Sequence, residues 1–427
     1  MRWHPDQARS RDSDDAHPTV AQVRVNSPVI ARVLLVRGLR AFADGYVSLL
    51  LPIYLITLGM SPLQVGVITA GTLFGSGVLT LWIGLQAYRF TYRTLFLAAA
   101  ILMTGTGLGY AAFTDFWPLL MIAIVGTLNP SGGDVSLFLP LEHAVLSQSV
   151  DDRMRTALFA RYSLVGTLVG ALGTVAAGLP DILVGVTYMS MRSALQSMFV
   201  LYGFVGLLSG WIYRGIPAKI DMGDHAPQAP LKISKGVVYT LAALFSLDAF
   251  GGGFVVQSLF ALWLFQKYQL SALAVGSIFF WTGILSALSY LVAVRIADRF
   301  GLLNTMVFTH LPSSLLLVAI PFVPTLGWAI ALLLARSALS QMDVPTRSSF
   351  VMALVPPEER AATASVTSIP RSVAAAISPI LTGYLLNMTA FDWPLILGGG
   401  IKIIYDLLLY FRFRGLRPPE EMNRREP

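Results

Sequence analysis

Twelve apolar runs, each about as long as a bilayer is thick, follow one another along this chain, and that succession restricts the fold more than any other feature. A helix needs about 20 mostly apolar residues to cross the hydrocarbon core. A window of that size finds candidates at 32–58, 62–87, 94–114, 116–147, 154–178, 193–213, 236–266, 271–296, 302–323, 325–354, 361–388 and 393–413. In lipid every backbone polar group has to be satisfied within its own segment, so such runs fold as helices. Composition agrees, with 55% hydrophobic and 12% charged residues, against about 25% charged in soluble domains. The expected class is an all-α integral membrane protein with twelve transmembrane helices.

The net charge of +7 does not point to nucleic acid, because the basic residues are strung between the apolar runs instead of gathered on one soluble face. Assigned alternately to the two sides, 22 of the 30 Lys and Arg residues fall on the side that carries both ends of the chain. By the positive-inside rule both termini are cytoplasmic, in a plasma membrane or the inner membrane of a Gram-negative cell. Residues 1–28 read as a disordered tail. The stretch 215–235, with Pro217, Pro227 and Pro230 among charges, reads as a cytoplasmic linker between a six-helix bundle at 29–214 and a second at 236–413, and 414–427 as a closing tail. The absence of cysteine excludes disulfides, thiolate metal sites and cysteine nucleophiles. Five scattered histidines have no metal spacing, and no Walker sequence or readable nucleophile and base is present. No cofactor, no metal and no enzymatic activity are expected.

The halves repeat. At an offset of 210, Ser61, Gly66, Ala87 and Arg89 fall on Ser271, Gly276, Ala297 and Arg299, Arg161 falls on Arg371, and Gly173 on Gly383. Six spans on each side of a linker, related by repetition, are the arrangement of secondary transporters, with the substrate site between the halves.

An ionised side chain in hydrocarbon costs several kcal/mol unless it meets a partner or water, so acids inside the runs mark candidate sites. Asp134 lies in Asn129-Pro130-Ser131-Gly132-Gly133-Asp134, where proline and glycine predict a locally unwound helix. Its counterpart is Asp343, and Asp44 and Asp248 correspond less closely between the first and seventh runs. Arg40 precedes Asp44 by one helical turn and Arg347 follows Asp343 by one turn, so each pair is spaced to bridge; a structural pair and a transport role stand side by side. Glu142 and His143 fall late in the fourth run. Glu142 is either a proton carrier or the partner of an arginine at the cytoplasmic rim such as Arg153, the reading favoured here. His310 reads as a satisfied polar residue away from the path, and Lys402 with Asp406 as a mutual pair. Gly251-Gly252-Gly253 in the seventh run offers a hinge.

The segment Val294-Arg295-Ile296-Ala297-Asp298-Arg299-Phe300-Gly301 resembles the loop signature of the major facilitator superfamily. The copy after the second run keeps Gly84, Arg89 and Arg93 but has Tyr88 in place of the aspartate. The resemblance implies a path lined by helices one, four, seven and ten, which carry Asp44, Asp134, Asp248 and Asp343. It also implies a cytoplasmic gate in which Asp298 and Arg299 face the start of helix five near Arg153 and Arg155, with Glu142 among the gate contacts. The family's antiporter signature is matched only in part by Gly166, Gly170 and Gly173. The expected function is secondary transport of a small organic solute by alternating access, coupled to protons, with export ahead of import of a cationic or zwitterionic solute. A transporter-like receptor that moves nothing is the alternative from another class. Expected partners are the solute, protons and the bilayer, for a monomer that binds no nucleic acid.

Overall fold

The computed structural model describes residues 27–86, 89–131, 137–150, 152–217, 234–356, 359–388 and 392–415. Over these the chain is helical. The first half comprises α1 (Ser27–Thr57), α2 (Pro62–Gln86), α3 (Tyr92–Ala112), α4 (Phe116–Val125), α5 (Phe138–Gln148), α6 (Asp152–Val175), α7 (Leu179–Thr187) and α8 (Met191–Tyr213). The second comprises α9 (Lys235–Gly253), α10 (Gln257–Tyr268), α11 (Ala272–Phe300), α12 (Leu302–Ala319), α13 (Leu326–Ser340), α14 (Asp343–Leu354), α15 (Arg360–Met388) and α16 (Trp393–Phe413).

These sixteen helices make twelve spans, because four spans are built from two helices each. The fourth is α4 and α5, the fifth α6 and α7 joined by a 3-10 turn at Ala176–Gly178, the seventh α9 and α10, and the tenth α13 and α14. The fourth run expected at 116–147 thus breaks where Pro130 withholds a backbone donor. The seventh and tenth, expected as unbroken helices, are interrupted at 254–256 and at Gln341–Met342. Gly253 closes α9, so the glycine triplet ends a helix there.

Several spans begin at a residue type that can cap a helix. Thr91 accepts from Thr94 N, Ser190 from Ser193 N and Ser271 from Ala274 N, each satisfying an orphan amide, and such a cap contributes about 1 kcal/mol. Large apolar side chains point outward along the belt, among them Leu35, Phe74, Trp82, Ile101, Trp117, Trp211, Trp281 and Phe411, all exposed. This is the inverse of a soluble surface and fits hydrocarbon as solvent.

The two six-helix bundles meet along two seams, α2 against α15 and α6 against α11. Both depend on small residues. A Cβ on Gly66 would collide with the backbone of Pro379 and Gly383, and one on Gly276 with the carbonyl of Thr174. The seams are therefore related by the internal repeat, since Gly66 corresponds to Gly276 at the expected offset of 210. The carbonyls that these two glycines meet, those of Pro379 and Thr174, stand 205 apart, so spans five and eleven do not keep the offset of 210 at the seams.

Two polar contacts across the halves lie on the side away from the chain's ends. Gln257 Nε2 donates to Ser48 Oγ at 3.0 Å, and Ser258 N donates to Pro130 O at 3.0 Å. Pro130 thus serves twice, since the carbonyl released by the break in span four is the one that span seven uses.

Candidate functional site

Among the described residues, ionisable groups inside the spans form two clusters, one in each bundle, with Arg161, Arg336 and Arg371 bonded to neither. In the first, Arg40 of α1 donates through Nη2 to Glu142 Oε2 of α5 at 2.6 Å. The hydroxyls of Tyr162 on α6 and Tyr213 on α8 also donate to the Glu142 carboxylate. Glu142 is 0% and Arg40 2% exposed. The Arg40 guanidinium lies 3.9 Å from the centre of the Phe138 ring, and Arg37 lies 4.8 Å from that of Tyr162. One carboxylate thus ties together four spans, with both oxygens occupied. Glycine makes the space: a Cβ on Gly166 of α6 would collide with the Arg37 guanidinium.

Glu142 is a core residue, held by an arginine from another helix. The proximity of 142 to the helix end in sequence misled, because α5 begins only at Phe138 and the break before it carries the carboxylate inward. Arg40 likewise turns to Glu142. Asp44, one turn further along α1, is buried at 9% exposure and adds its charge to the surroundings of Arg40.

The second cluster is larger. Asp248 of α9 accepts from Arg347 Nη2 of α14 at 2.9 Å through Oδ2 and from Lys402 Nζ of α16 at 2.7 Å through Oδ1. Arg347 also binds Asp343, one turn before it on the same helix. His310 of α12 has Nδ1 at 2.9 Å from Asp406 Oδ1 and Nε2 at 3.8 Å from Asp248 Oδ1. Three acids, two permanent cations and one imidazole therefore form a continuous chain across α14, α9, α16 and α12. Tyr405, buried at the same place, packs edge-on against His310 with ring centres 5.9 Å apart.

Of the residues singled out in the sequence, the structure brings Asp248, Asp343 and Arg347 together in this cluster, and Arg40 with Asp44 in the other. Asp134 lies outside the described residues, as does Tyr88, and the side chains of Arg153 and Arg155 are likewise not described. Asp298 and Arg299 are exposed near the end of α11, the helix that Gly301 terminates with its amide on Ala297 O. Lys402 and Asp406 do not pair with each other; each reaches a different helix. His310 is not remote, for it joins Asp406 to Asp248. A signal for it was present in the polar positions Thr305, Thr309, Ser313 and Ser314 around it, which recur at helical spacing and mark an inward face. Tyr162 and Tyr213 carried no such signal, since tyrosine in an apolar run reads as an interfacial or packing residue.

Comparison with known proteins places this geometry. Residues 241–427 match the family model described as Major Facilitator Superfamily. An uncharacterized membrane protein of Saccharomyces cerevisiae, YJR124C, is 24% identical over 424 residues, covering 90% of this chain and 94% of its own. Among solved structures, a bacterial homolog of the human lysosomal transporter Spinster, inward-facing and occupied, superposes with a TM-score of 0.73 at 14% identity, covering 91% of this chain and 97% of that one. An auto-inhibited peptide transporter of the POT family gives 0.70 at 12% identity, with 91% and 97% covered. The xylose transporter XylE from E. coli, inward open, gives 0.67 at 13% identity, with 89% and 96% covered. At these identities the likeness is one of fold.

Proposed function

We propose that this chain, a protein of the major facilitator superfamily, is a secondary active transporter that moves a small organic solute by alternating access, driven by protons. The observation that carries the reading is the shared carboxylate of Asp248. It binds Arg347 and Lys402 together, Arg347 also binds Asp343, and His310 joins Asp406 to the same carboxylate. With three acids against two cations, the network takes up one proton and keeps both cations matched in charge, whereas breaking an isolated buried pair costs about 3–5 kcal/mol.

Two further features support the reading. Gln257–Ser48 and Ser258–Pro130 join the halves on the side away from the chain's ends. Positive charge between the spans supports cytoplasmic termini, which puts these contacts on the outer side. The glycine series of α6, packed tightly on α1, supports export. Import of a cationic or zwitterionic solute remains the second reading, favoured by the three acids of the C-terminal cluster.

Reconstituted into liposomes with an internal pH dye, the protein is expected to show proton flux on addition of a transported solute, and Asp248→Asn to lose it. A folded protein that gives no solute-dependent flux with a chemically broad panel contradicts transport and favours a receptor-like role.

A further inference from the structure

The helix α15 presents two exposed stripes. One is apolar, running through Ile369, Val373, Ile377, Ile380 and Tyr384, and faces lipid. The other runs through Ala364, Ser368 and Arg371, exposed at helical spacing. Continued along the helix it becomes Ala375, Ser378 and Thr382, which close on α9: Thr382 Oγ1 donates to Phe254 O at 3.0 Å, Ser378 Oγ donates to Phe250 O, and a Cβ on Gly253 would press on Ala375 O at 2.6 Å. Arg371 thus stands where the α9–α15 seam opens, about 16 Å from the start of its helix at 1.5 Å per residue. It is at membrane depth, on the face turned away from lipid, and accessible.

Its surroundings are unusual for a cation at that depth. The acids of the nearby cluster are already engaged, with Asp343 and Asp248 on Arg347 and Asp248 also on Lys402. Arg371 lies in the field of Arg347 as well as of Asp248 and Asp343. An intramembrane arginine costs several kcal/mol without a partner, and an accessible one is partnered by whatever enters. A guanidinium offers a planar fork of donors that fits a carboxylate or a phosphate with two hydrogen bonds.

We infer that Arg371 is the substrate-binding cation of this transporter and that its solute carries an oxyanion, a carboxylate or a phosphate monoester. The inference rests on the transport reading above and names the substrate class at that site. Arg347, fixed by two aspartates, adds its field without supplying the contact. The three acids that favour a cationic solute are buried behind it and already paired, which leaves the arginine as the charge a solute meets.

The test uses benzoate, phenyl phosphate, benzamide and benzylamine as probes of one ring with four head groups. Purified full-length protein is treated with phenylglyoxal, and modification at each arginine is followed by mass spectrometry with and without probe. Arg371 is expected to react faster than Arg40 and Arg347, and benzoate or phenyl phosphate to slow that reaction at least threefold, with benzamide and benzylamine inert. The arm that protects identifies the oxyanion. In thermal unfolding the same anion stabilises the native protein, Arg371→Ala abolishes the shift and Arg371→Lys retains part of it. Protection by benzylamine or benzamide alone, by no probe, or a shift unchanged in Arg371→Ala overturns the inference. Proton flux driven by cationic or neutral solutes only would overturn it and leave transport standing; a chain that gives no solute-dependent flux at all fails at the transport reading itself.

Discussion

The two charge clusters share a theme and differ in redundancy. In the N-terminal bundle one carboxylate, Glu142, is bound by one arginine and two tyrosine hydroxyls, with Asp44 adding its charge to the surroundings of Arg40. In the C-terminal bundle Asp248 has two cations and a histidine, and each of those has a second acid within reach. The placement is also inverted. The arginine sits on span one and the acid on span four of the first bundle, whereas the acid sits on span seven and the arginine on span ten of the second. A carboxylate that ties four spans through one arginine and two hydroxyls is a staple, because protonating it weakens all of those contacts at once. A network with alternatives can change its protonation and keep every charge matched, so the comparison assigns rigidity to one bundle and coupling to the other.

The largest expected effect is on the staple. Arg40→Met leaves the Glu142 carboxylate without its cation and should lower stability by about 3–5 kcal/mol, read as a drop in thermal unfolding temperature in detergent. Adding Glu142→Leu should recover most of that loss, a coupling that a double-mutant cycle measures. If the double variant unfolds as early as the single one, Arg40 contributes packing against Phe138 and not charge pairing.

Asp248→Asn should be milder. It weakens hydrogen bonds to two charged groups, for about 1.5–3 kcal/mol, because Asp343 and Asp406 retain the cations. The same variant should stop solute-driven proton flux. A stability loss equal to that of Arg40→Met would erase the distinction between the clusters.

His310→Asn sharpens the picture further. Asparagine can donate to Asp406 as the Nδ1 of His310 does, but it is too short to reach Asp248 as well. The variant should slow solute-driven proton flux at little cost in unfolding temperature. Unchanged flux would take His310 out of the coupling network.

The smallest effect belongs to the seam between the bundles. Gln257→Ala removes the hydrogen bond to Ser48, worth about 0.5–1.5 kcal/mol, and so should favour opening on the side away from the termini by roughly twofold to tenfold. Single-molecule or spin-label distances across that side would show it.

The fold was legible in the sequence because hydrocarbon leaves a helix little choice. Run lengths, the spacing of basic residues and the Gly66–Gly276 correspondence all follow from that one constraint. The break in span four was legible from Pro130, whereas those near 255 and 341 have no proline at the break and were read as continuous helix. The candidate site was legible in half. Asp343 and Arg347 pair at the spacing that the sequence shows, since one helix fixes both. Glu142, Lys402, Asp406 and His310 were assigned to neighbours in sequence, and the fold gave them partners on other helices. Spacing within a helix says which residues can meet; which ones do depends on how the helices pack, and the carbonyls met by Gly66 and Gly276, those of Pro379 and Thr174, already depart from the offset of 210.

The central claim, that protonation at the Asp248 network moves the bundles and the Glu142 staple does not, can be tested without knowing the solute. The chain has no cysteine, so Phe90→Cys and Phe300→Cys, both at exposed positions beyond α2 and at the end of α11, can carry spin labels alone. Distances between them should report the opening on the terminal side at a single pH. The account predicts that Asp248→Asn, which holds that side chain in a neutral form, shifts the distance distribution, and that Glu142→Gln leaves it as in the otherwise unchanged protein. An unchanged distribution in Asp248→Asn, or a shift in a folded Glu142→Gln, would contradict it.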